Sequence, residues 1–284
     1  MSRLKNSWPM LAAVLLAAAG SGCAHKYAVL ISANKTTQDD VAIHSEWWYD
    51  LMLQYKTLKD NGFDDDKIVV LYGDGSDFAT AHASYDAKKV FGHGITTMAV
   101  SRANVQKAFA DLASKVTDKD YLYVWWMGHG GGGGPNGCSL SMLISNTGEL
   151  VTDVEFASYV AAVPKYKKRS IAVMTCHSGG ILDQFAAAGS RTVALASSTC
   201  AQNSYDANQT CDQVVHAEFN YVMPNGLRRK DWCNAPVASD KNADGLVSWF
   251  EAHQYDQASM TNSTPQLGDP DGLAAPTAIK SADP

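Results

Sequence analysis

A cysteine and a histidine each follow an apolar run and lie beside glycine. Residues 171–175 (I-A-V-M-T) lead directly to Cys176, and residues 121–127 (Y-L-Y-V-W-W-M) lead within two residues to His129. Such a pair can act in acyl transfer, with the sulfur attacking a carbonyl and the imidazole moving the protons. The backbone N–H groups of Gly130 and Cys176 are the natural oxyanion donors. These residue types predict a cysteine hydrolase whose chemistry needs no cofactor.

The same segments permit a different nucleophile. Residues 176–180 (C-H-S-G-G) differ by one residue from the G-x-S-x-G elbow, and residues 129–133 (H-G-G-G-G) resemble an esterase oxyanion loop. Ser178 would then attack, with its acid and base drawn from later residues such as Asp240 and His253. A serine esterase is therefore an alternative function, and a noncatalytic surface module that uses the fold for binding is another.

Short apolar runs alternate with helix-like segments along the chain, which predicts a mainly parallel sheet covered by helices on both faces. The predicted strands are Tyr27–Ser32, Ile68–Tyr72, Tyr121–Met127, Ile171–Thr175 and Thr192–Ala196, and the predicted helices are Ser45–Asp60, Arg102–Val116, Asp153–Val163, Gly180–Ala188 and Asp212–Met223. Ligands bind beyond the carboxyl ends of such strands, where His129 and Cys176 both fall. Residues 131–137 are so rich in glycine that we expect a mobile or unusually turned loop.

Three further stretches carry a family resemblance: K-Y-A-V-L-I-S at 26–32, N-G-F-D-D-D-K-I-V-V-L-Y at 61–72 and S-R-A-N-V at 101–105. Together with the two strand-end motifs, they make residues 26–223 similar to the legumain family of cysteine peptidases. The resemblance implies a caspase-like α/β/α sandwich and an endopeptidase acting on peptide or protein substrates. It also implies that His129 is the catalytic histidine and Cys176 the nucleophile. The same chemistry permits transpeptidation when an amine outcompetes water.

Several positions concern specificity. Glu46 falls where asparagine-specific legumains have a pocket arginine, and Met174 replaces an acidic residue two places before the nucleophile, so asparagine specificity is not carried over. His44 falls near the family's third catalytic position. Asn203 and Ser204 resemble part of the loop that lines the substrate pocket, which makes them candidate substrate contacts.

The amino terminus predicts export. Arg3 and Lys5 precede an apolar stretch and small residues that end at Cys23, so residues 1–22 resemble a signal peptide with a lipobox. Lipidation of Cys23 would anchor the protein to a membrane of the cell envelope, periplasmic or at the cell surface, whereas ordinary cleavage would release it as a secreted protein. The formal net charge is −6 and becomes −8 once Arg3 and Lys5 are removed, which argues against nucleic acid as a partner.

The remaining cysteines fit an oxidising compartment. Cys138, Cys200, Cys211 and Cys233 are an even number that can form two disulfides, and the polar loop between Cys200 and Cys211 favours that pair. Four unpaired thiols are the alternative.

Residues 240–251 (D-K-N-A-D-G-L-V-S-W-F-E) fit the twelve-residue EF-hand loop. The predicted calcium ligands are Asp240, Asn242, Asp244, Leu246 through its carbonyl, Ser248 and Glu251. Gly245 stands at the sharp turn, and the bound ion would be structural. The alternative is a metal-free turn that caps the following helix. We expect a catalytic domain over 23–235, the calcium loop and helix over 236–260, and a loosely ordered tail over 261–284.

Overall fold

The computed structural model describes residues 24–34, 46–133 and 137–280. The signal peptide, Cys23 and His44 lie outside these residues. Within the described ranges, the elements in chain order are β1 (Lys26–Ser32), α1 (Glu46–Asp60), β2 (Ile68–Tyr72), α2 (Ala87–Phe91), α3 (Arg102–Leu112), β3 (Tyr121–Met127), β4 (His129–Gly133), β5 (Ser139–Ile144), β6 (Glu149–Thr152), α4 (Asp153–Ala161), β7 (Lys168–Met174), β8 (Thr192–Ala196), α5 (Glu218–Arg228), α6 (Trp249–Ser259) and β9 (Gln266–Gly268). No helix among them is long and apolar enough to cross a membrane.

The central sheet has six strands in the order β2-β1-β3-β7-β8-β9. The first five are parallel, and β9 runs antiparallel to β8. Strand side chains alternate between two cores, so Trp125 packs in one with α1, α5 and α6, while Trp126 packs in the other with α3 and α4. The predicted α/β/α sandwich with a mainly parallel sheet is confirmed.

A second, antiparallel sheet of β4, β5 and β6 forms where a mobile or unusually turned loop is predicted. Gly131 pairs with Ser141, and Gly133 pairs with Ser139. Glycine has low strand propensity, but strand pairing needs only backbone N–H and C=O groups. Part of the glycine-rich segment is therefore a strand, although its composition does not predict one.

Other segments also differ from those predicted. The segment expected to be a helix over 180–188 is a 3₁₀ helix over Ser178–Phe185. The helix predicted over 212–223 begins at Glu218 and continues to Arg228. Residues 261–280 are packed rather than loosely held, since they include β9 and the buried Ala274 and Ile279.

The disulfides join Cys138 to Cys200 and Cys211 to Cys233. Two disulfides are present, as predicted, but the favoured pairing of Cys200 with Cys211 is wrong. The reason is spatial: the β5 strand begins at Ser139 and brings Cys138 beside the turn that contains Cys200.

Candidate active site

His129 and Cys176 leave neighbouring strands at the same level of the sheet. Met127 of β3 is the register partner of Met174 of β7, and each candidate residue follows two positions later. The Gly128 N–H continues the ladder by donating to the Met174 carbonyl at 3.2 Å. The structure therefore brings both residues to the carboxyl edge of the sheet, where parallel α/β proteins bind ligands.

Glycine is required where β4 passes the cysteine. A Cβ at Gly130 would collide with the backbone carbonyl of Cys176 and lie 2.7 Å from the Thr175 Cβ. A Cβ at Gly132 would lie 2.7 Å from His177 Nδ1. The glycine strand thus lies directly over the turn that carries the nucleophile candidate, and Gly130 is beside the Cys176 carbonyl.

The turn at Cys176 is fixed by hydrogen bonds to neighbouring loops. The Thr175 carbonyl accepts from the hydroxyls of Ser197 (3.3 Å), Ser198 (3.3 Å) and Ser204 (2.8 Å). The half-buried Cys176 thiol donates to the Ser204 carbonyl at 3.8 Å. These bonds hold the thiol at one place on the edge of the sheet.

A cavity of about 230 Å³ contains both candidates. Its lining residues are Glu46, Trp47, Met127, Gly128, His129, Met174, Cys176, Ser204, Asp206 and Ala217. The imidazole of His129 makes an edge contact with the Trp47 ring, with 4.9 Å between ring centroids. His129 is exposed and Cys176 is half-buried, and both line this cavity.

The cavity is acidic. Glu46 is buried, and its burial, together with the charges of Asp50 and Asp206, raises the pKa of its carboxyl to about 8. Asp206 is exposed and lines the same cavity. Carboxyl groups from α1 and from the loop after β8 therefore line the same cavity as the thiol.

A buried ionic network supports the wall at Ala217. His216 is held between Asp50, at 2.6 Å from its Nδ1, and Asp212, at 3.4 Å from its Nε2, and Tyr85 Oη lies 2.8 Å from Nε2. Burial disfavours the imidazolium, but the bonds to Asp212 and Asp50 outweigh burial and raise the pKa of His216 to about 9. The network ties α1 to the segment that carries Ala217.

The predicted substrate contacts fare differently. Ser204 lines the cavity, whereas the exposed Asn203 does not line it. Trp47 and Asp206 were missed by the sequence analysis. Each adjoins or nearly adjoins a candidate, since Trp47 follows Glu46 and Asp206 lies two residues after Ser204, and this proximity is the signal that could have found them.

The structure does not assemble the esterase alternative around Ser178. This serine is fully buried, and its hydroxyl lies 3.0 Å from the Ser197 hydroxyl and accepts from the Ser198 N–H at 3.0 Å. The hydrogen-bond partners of the hydroxyl are serine groups rather than His253, which is itself buried in α6. A nucleophile needs access to substrate and a base within reach, so these contacts describe a structural serine.

The first predicted calcium ligand has a distinctive environment. Asp240 Oδ2 accepts from the Gly245 N–H at 3.0 Å and pairs with Arg229 Nη1 at 3.2 Å. The other oxygen, Oδ1, is buried and has no hydrogen-bond partner among the residues that the structure describes. Gly245 has φ of +90°, a conformation suited to glycine. An orphaned buried carboxylate oxygen at the first ligand position fits a cation-binding loop.

The other ligand candidates wrap the same loop. Asn242 Oδ1 accepts from the Asp244 N–H at 2.9 Å, and Asp244 Oδ1 accepts from the Leu246 N–H at 2.8 Å. Ser248 and Glu251 form a capping box at the start of α6. Glu251 also accepts from the backbone N–H of residues 241 and 242, which draws its carboxylate towards the start of the loop. The donor set consists of oxygen atoms, which calcium prefers.

A separate cluster of possible ligands consists of Cys211, Asp231 and Cys233, whose ligand atoms lie within 4.8 Å of one another. Both cysteines are joined in a disulfide, so neither offers a thiolate. This cluster does not fit a metal site.

Comparisons with known proteins establish similarity of fold only. No protein-family model matches the chain, and no curated protein matches it. Among solved structures, the chain is similar to the crystal structure of protein GSU0716 from Geobacter sulfurreducens, a structural-genomics target, with a TM-score of 0.54 and 15% identity. The match covers 88% of this chain and 97% of that one. At this identity the two proteins share an architecture.

Proposed function

We propose that the protein is a cysteine endopeptidase with Cys176 as nucleophile and His129 as acid–base catalyst. The observation that supports this most directly is the register of the sheet: Met127 and Met174 are partners, and the histidine and the cysteine that follow them line one cavity. The resemblance to the legumain family supports the same assignment, including its caspase-like architecture.

The geometry suits acyl transfer. The Cys176 thiolate adds to the peptide carbonyl, and N–H groups at Gly130 and Cys176 stabilise the oxyanion. Collapse of this intermediate forms a thioester and expels the amine, which takes a proton from His129. His129 then takes a proton from water, which hydrolyses the thioester, whereas attack by a second amine gives transpeptidation.

Two accompanying proposals concern the setting of the enzyme. Lipidation of Cys23 would place it on a cell-envelope membrane as an exported lipoprotein, and cleavage without lipidation would release it. Calcium would be held by Asp240, Asn242, Asp244, Leu246, Ser248 and Glu251, with the orphaned Asp240 Oδ1 as the supporting observation. The ion would stiffen the loop before α6 and takes no part in the chemistry.

The test of the peptidase is digestion of a mixed peptide library, read by mass spectrometry, by the protein and by its Cys176→Ala and His129→Ala variants. We expect cleavage by the parent protein and loss of cleavage in both variants. His93→Ala is the matched control, because His93 is also flanked by glycines but is not among the residues that line the cavity. Cleavage that survives Cys176→Ala contradicts the proposal.

A second measurement does not depend on knowing the substrate. Alkylation of Cys176 by iodoacetamide reports the nucleophilic reactivity of its sulfur. We expect His129→Ala to slow alkylation, because the variant lacks the imidazole that would accept the thiol proton. An alkylation profile identical in the parent and in His129→Ala would contradict the dyad, even if no peptide is cleaved.

A further inference from the structure

Strand β4 is an edge strand that leads away from the two candidate catalytic residues. It begins at His129, and among the described strands it pairs with β5 alone. A Cβ at Gly130 would collide with the Cys176 carbonyl, and a Cβ at Gly132 would lie 2.7 Å from the His177 ring. The strand is exposed or partly exposed along its length. It therefore carries backbone groups from the candidate nucleophile along an accessible path.

The direction of these backbone groups follows from the residue before the strand. The Gly128 N–H donates to Met174 of β7 rather than to β5. Alternate residues of an extended chain direct their N–H and C=O groups to the same side, so we infer that those of Gly130 and Gly132 face away from β5. Neither glycine makes a backbone hydrogen bond to a described residue outside its sheet. We call this side of Gly130 and Gly132 the open edge.

The cavity and β4 lie on opposite sides of the central sheet. Met127 and Met174 line the cavity and belong to the core that α1, α5 and α6 cover. Leu140 and Met142 of β5, the partner of β4, belong to the core that α3 and α4 cover. A peptide held at Cys176 crosses the sheet edge between these two sides. Its residues before and after the scissile bond accordingly meet different surfaces.

His129 determines which half of the substrate follows β4. In the proposed reaction its imidazole protonates the leaving amine, which must therefore lie within hydrogen-bond distance of the ring. Because His129 is the first residue of β4, the chain that continues from this amine runs beside Gly130 and Gly132. Glycine has no side chain to obstruct such an approach, and an edge strand binds an extended peptide through main-chain hydrogen bonds.

We propose that the open edge of β4 binds the substrate segment on the amine side of the scissile bond, as an added parallel strand recognised through its main chain. This inference rests on the proposed peptidase function, because it takes the Gly130 N–H as an oxyanion donor and His129 as the acid. The pairing is parallel because both chains run away from Cys176. The glycine strand selects an extended backbone rather than particular side chains.

The oxyanion contact fixes the register of the added strand. In a parallel pair, one residue donates its N–H to a partner residue and accepts through its C=O from the residue two places further along. The Gly130 N–H meets the scissile carbonyl, so the Gly130 carbonyl accepts from the N–H of the second residue after the scissile bond. The Gly132 N–H donates to the carbonyl of that same residue. The third residue directs its N–H away from β4.

The test compares peptides that share the acyl-side sequence selected by the library digestion and carry four alanines after the scissile bond. One peptide is unmodified, one has an N-methyl group on the second alanine, and one has it on the third alanine as the matched control. We expect methylation of the second alanine to lower kcat/KM at least about fivefold, which is the loss expected for one hydrogen bond. Methylation of the third alanine should lower it less than about twofold, since that N–H makes no bond to β4.

A further peptide separates the lost hydrogen bond from the bulk of the methyl group. It replaces the N–H of the second alanine by an ester oxygen, which removes the donor without adding a methyl group. We expect this peptide to be cleaved at the scissile amide at least about threefold more slowly than the unmodified one. Cleavage of the ester peptide at the unmodified rate, or an equal loss from methylation of the second and third alanines, overturns the inference.

The outcomes distinguish this inference from the peptidase proposal. Cleavage that is lost in Cys176→Ala but is indifferent to these main-chain changes overturns the role of β4 and leaves the cysteine peptidase standing. If the protein cleaves no peptide of the library, this inference is overturned. The iodoacetamide comparison of the parent with His129→Ala then decides separately whether the dyad stands.

Discussion

Gly130 lies directly against the backbone carbonyl of Cys176, in a space that leaves no room for a Cβ atom. The adjacent Gly131 is different, since a Cβ there would meet no atom of the described residues within 4 Å. Two neighbouring glycines of one strand therefore have distinct constraints. The first is fixed by its approach to the candidate nucleophile, whereas the second is free to vary.

The first prediction concerns this pair of glycines. Gly130→Ala should push β4 away from the Cys176 turn, because its Cβ would collide with the Cys176 carbonyl. Overpacking of this kind typically costs ~1–3 kcal/mol. We expect a lower free energy of unfolding in urea and a lower rate of Cys176 labelling by peptidyl ketones. Gly131→Ala is the control and should change both quantities little. Equal effects of the two substitutions would show that the approach to Cys176 is unimportant.

The features that could be predicted from the sequence are those that depend on neighbouring residues in the chain. The alternation of apolar runs and helices, and the placement of His129 and Cys176 at strand ends, come from local composition and were predictable. The disulfide partner of Cys200 could not be predicted, because Cys138 reaches it through the pairing of β5 with β4. The glycine-rich sequence of β4 has no pattern that is typical of a strand. Of the two acidic residues that line the cavity, the sequence indicated only Glu46. Asp206 could not be predicted, because it lies in a loop with no regular sequence pattern.

The second prediction concerns the disulfides. Removing Cys138–Cys200 by double serine substitution should cost ~4 kcal/mol, and removing Cys211–Cys233 should cost ~3 kcal/mol, since the sequence separations are 62 and 22 residues. The first bond also lies over the turn after Cys176, where a Cβ at Gly180 would collide with the Cys138 carbonyl. Urea unfolding measures the two stability losses.

The two disulfides should differ in their effect on the site. Loss of Cys138–Cys200 should slow labelling of Cys176 under conditions where the protein remains folded, whereas loss of Cys211–Cys233 should slow it less. A larger effect from the second pair would mean that the bond between Cys138, next to β5, and Cys200 does not position the nucleophile.

The third prediction is a pH dependence set by His216. The groups that face its ring are Asp50, Asp212, Tyr85 and Tyr221, and together they hold the imidazolium in the folded state. Because the folded pKa of about 9 exceeds the ordinary value of 6.5, the stabilisation is fully present below pH 6.5 and is lost as pH rises through 9. The loss amounts to up to about 3 kcal/mol.

Chemical denaturation between pH 6 and pH 9.5 measures this dependence. His216→Gln should be less stable than the parent at pH 6 and should show a smaller decline as pH rises. His93→Gln removes an exposed histidine and should keep the parent profile. A parallel decline in His216→Gln and the parent would assign the pH dependence to other groups, such as Glu46.

The fourth prediction concerns Arg229 and calcium. The guanidinium of Arg229 pairs with Asp240 at the first ligand position, so an arriving calcium ion must compete with it. The pair is partly exposed, and such pairs are worth ~0.2–1 kcal/mol. Arg229→Gln should therefore bind calcium more tightly by a factor of up to about five. Titration calorimetry with calcium chloride measures the affinity directly.

Lys230→Gln is the matched control, because it removes the same charge one residue later from a side chain that faces Asp60 instead, at 4.0 Å. If both variants tighten calcium binding equally, long-range repulsion rather than displacement from Asp240 explains the gain. If the parent binds no calcium and its melting temperature is indifferent to a chelator, the loop is a metal-free cap for α6. In that case Arg229 itself neutralises Asp240, and Arg229→Gln should lower the stability of the protein, because it leaves the carboxylate without its cation.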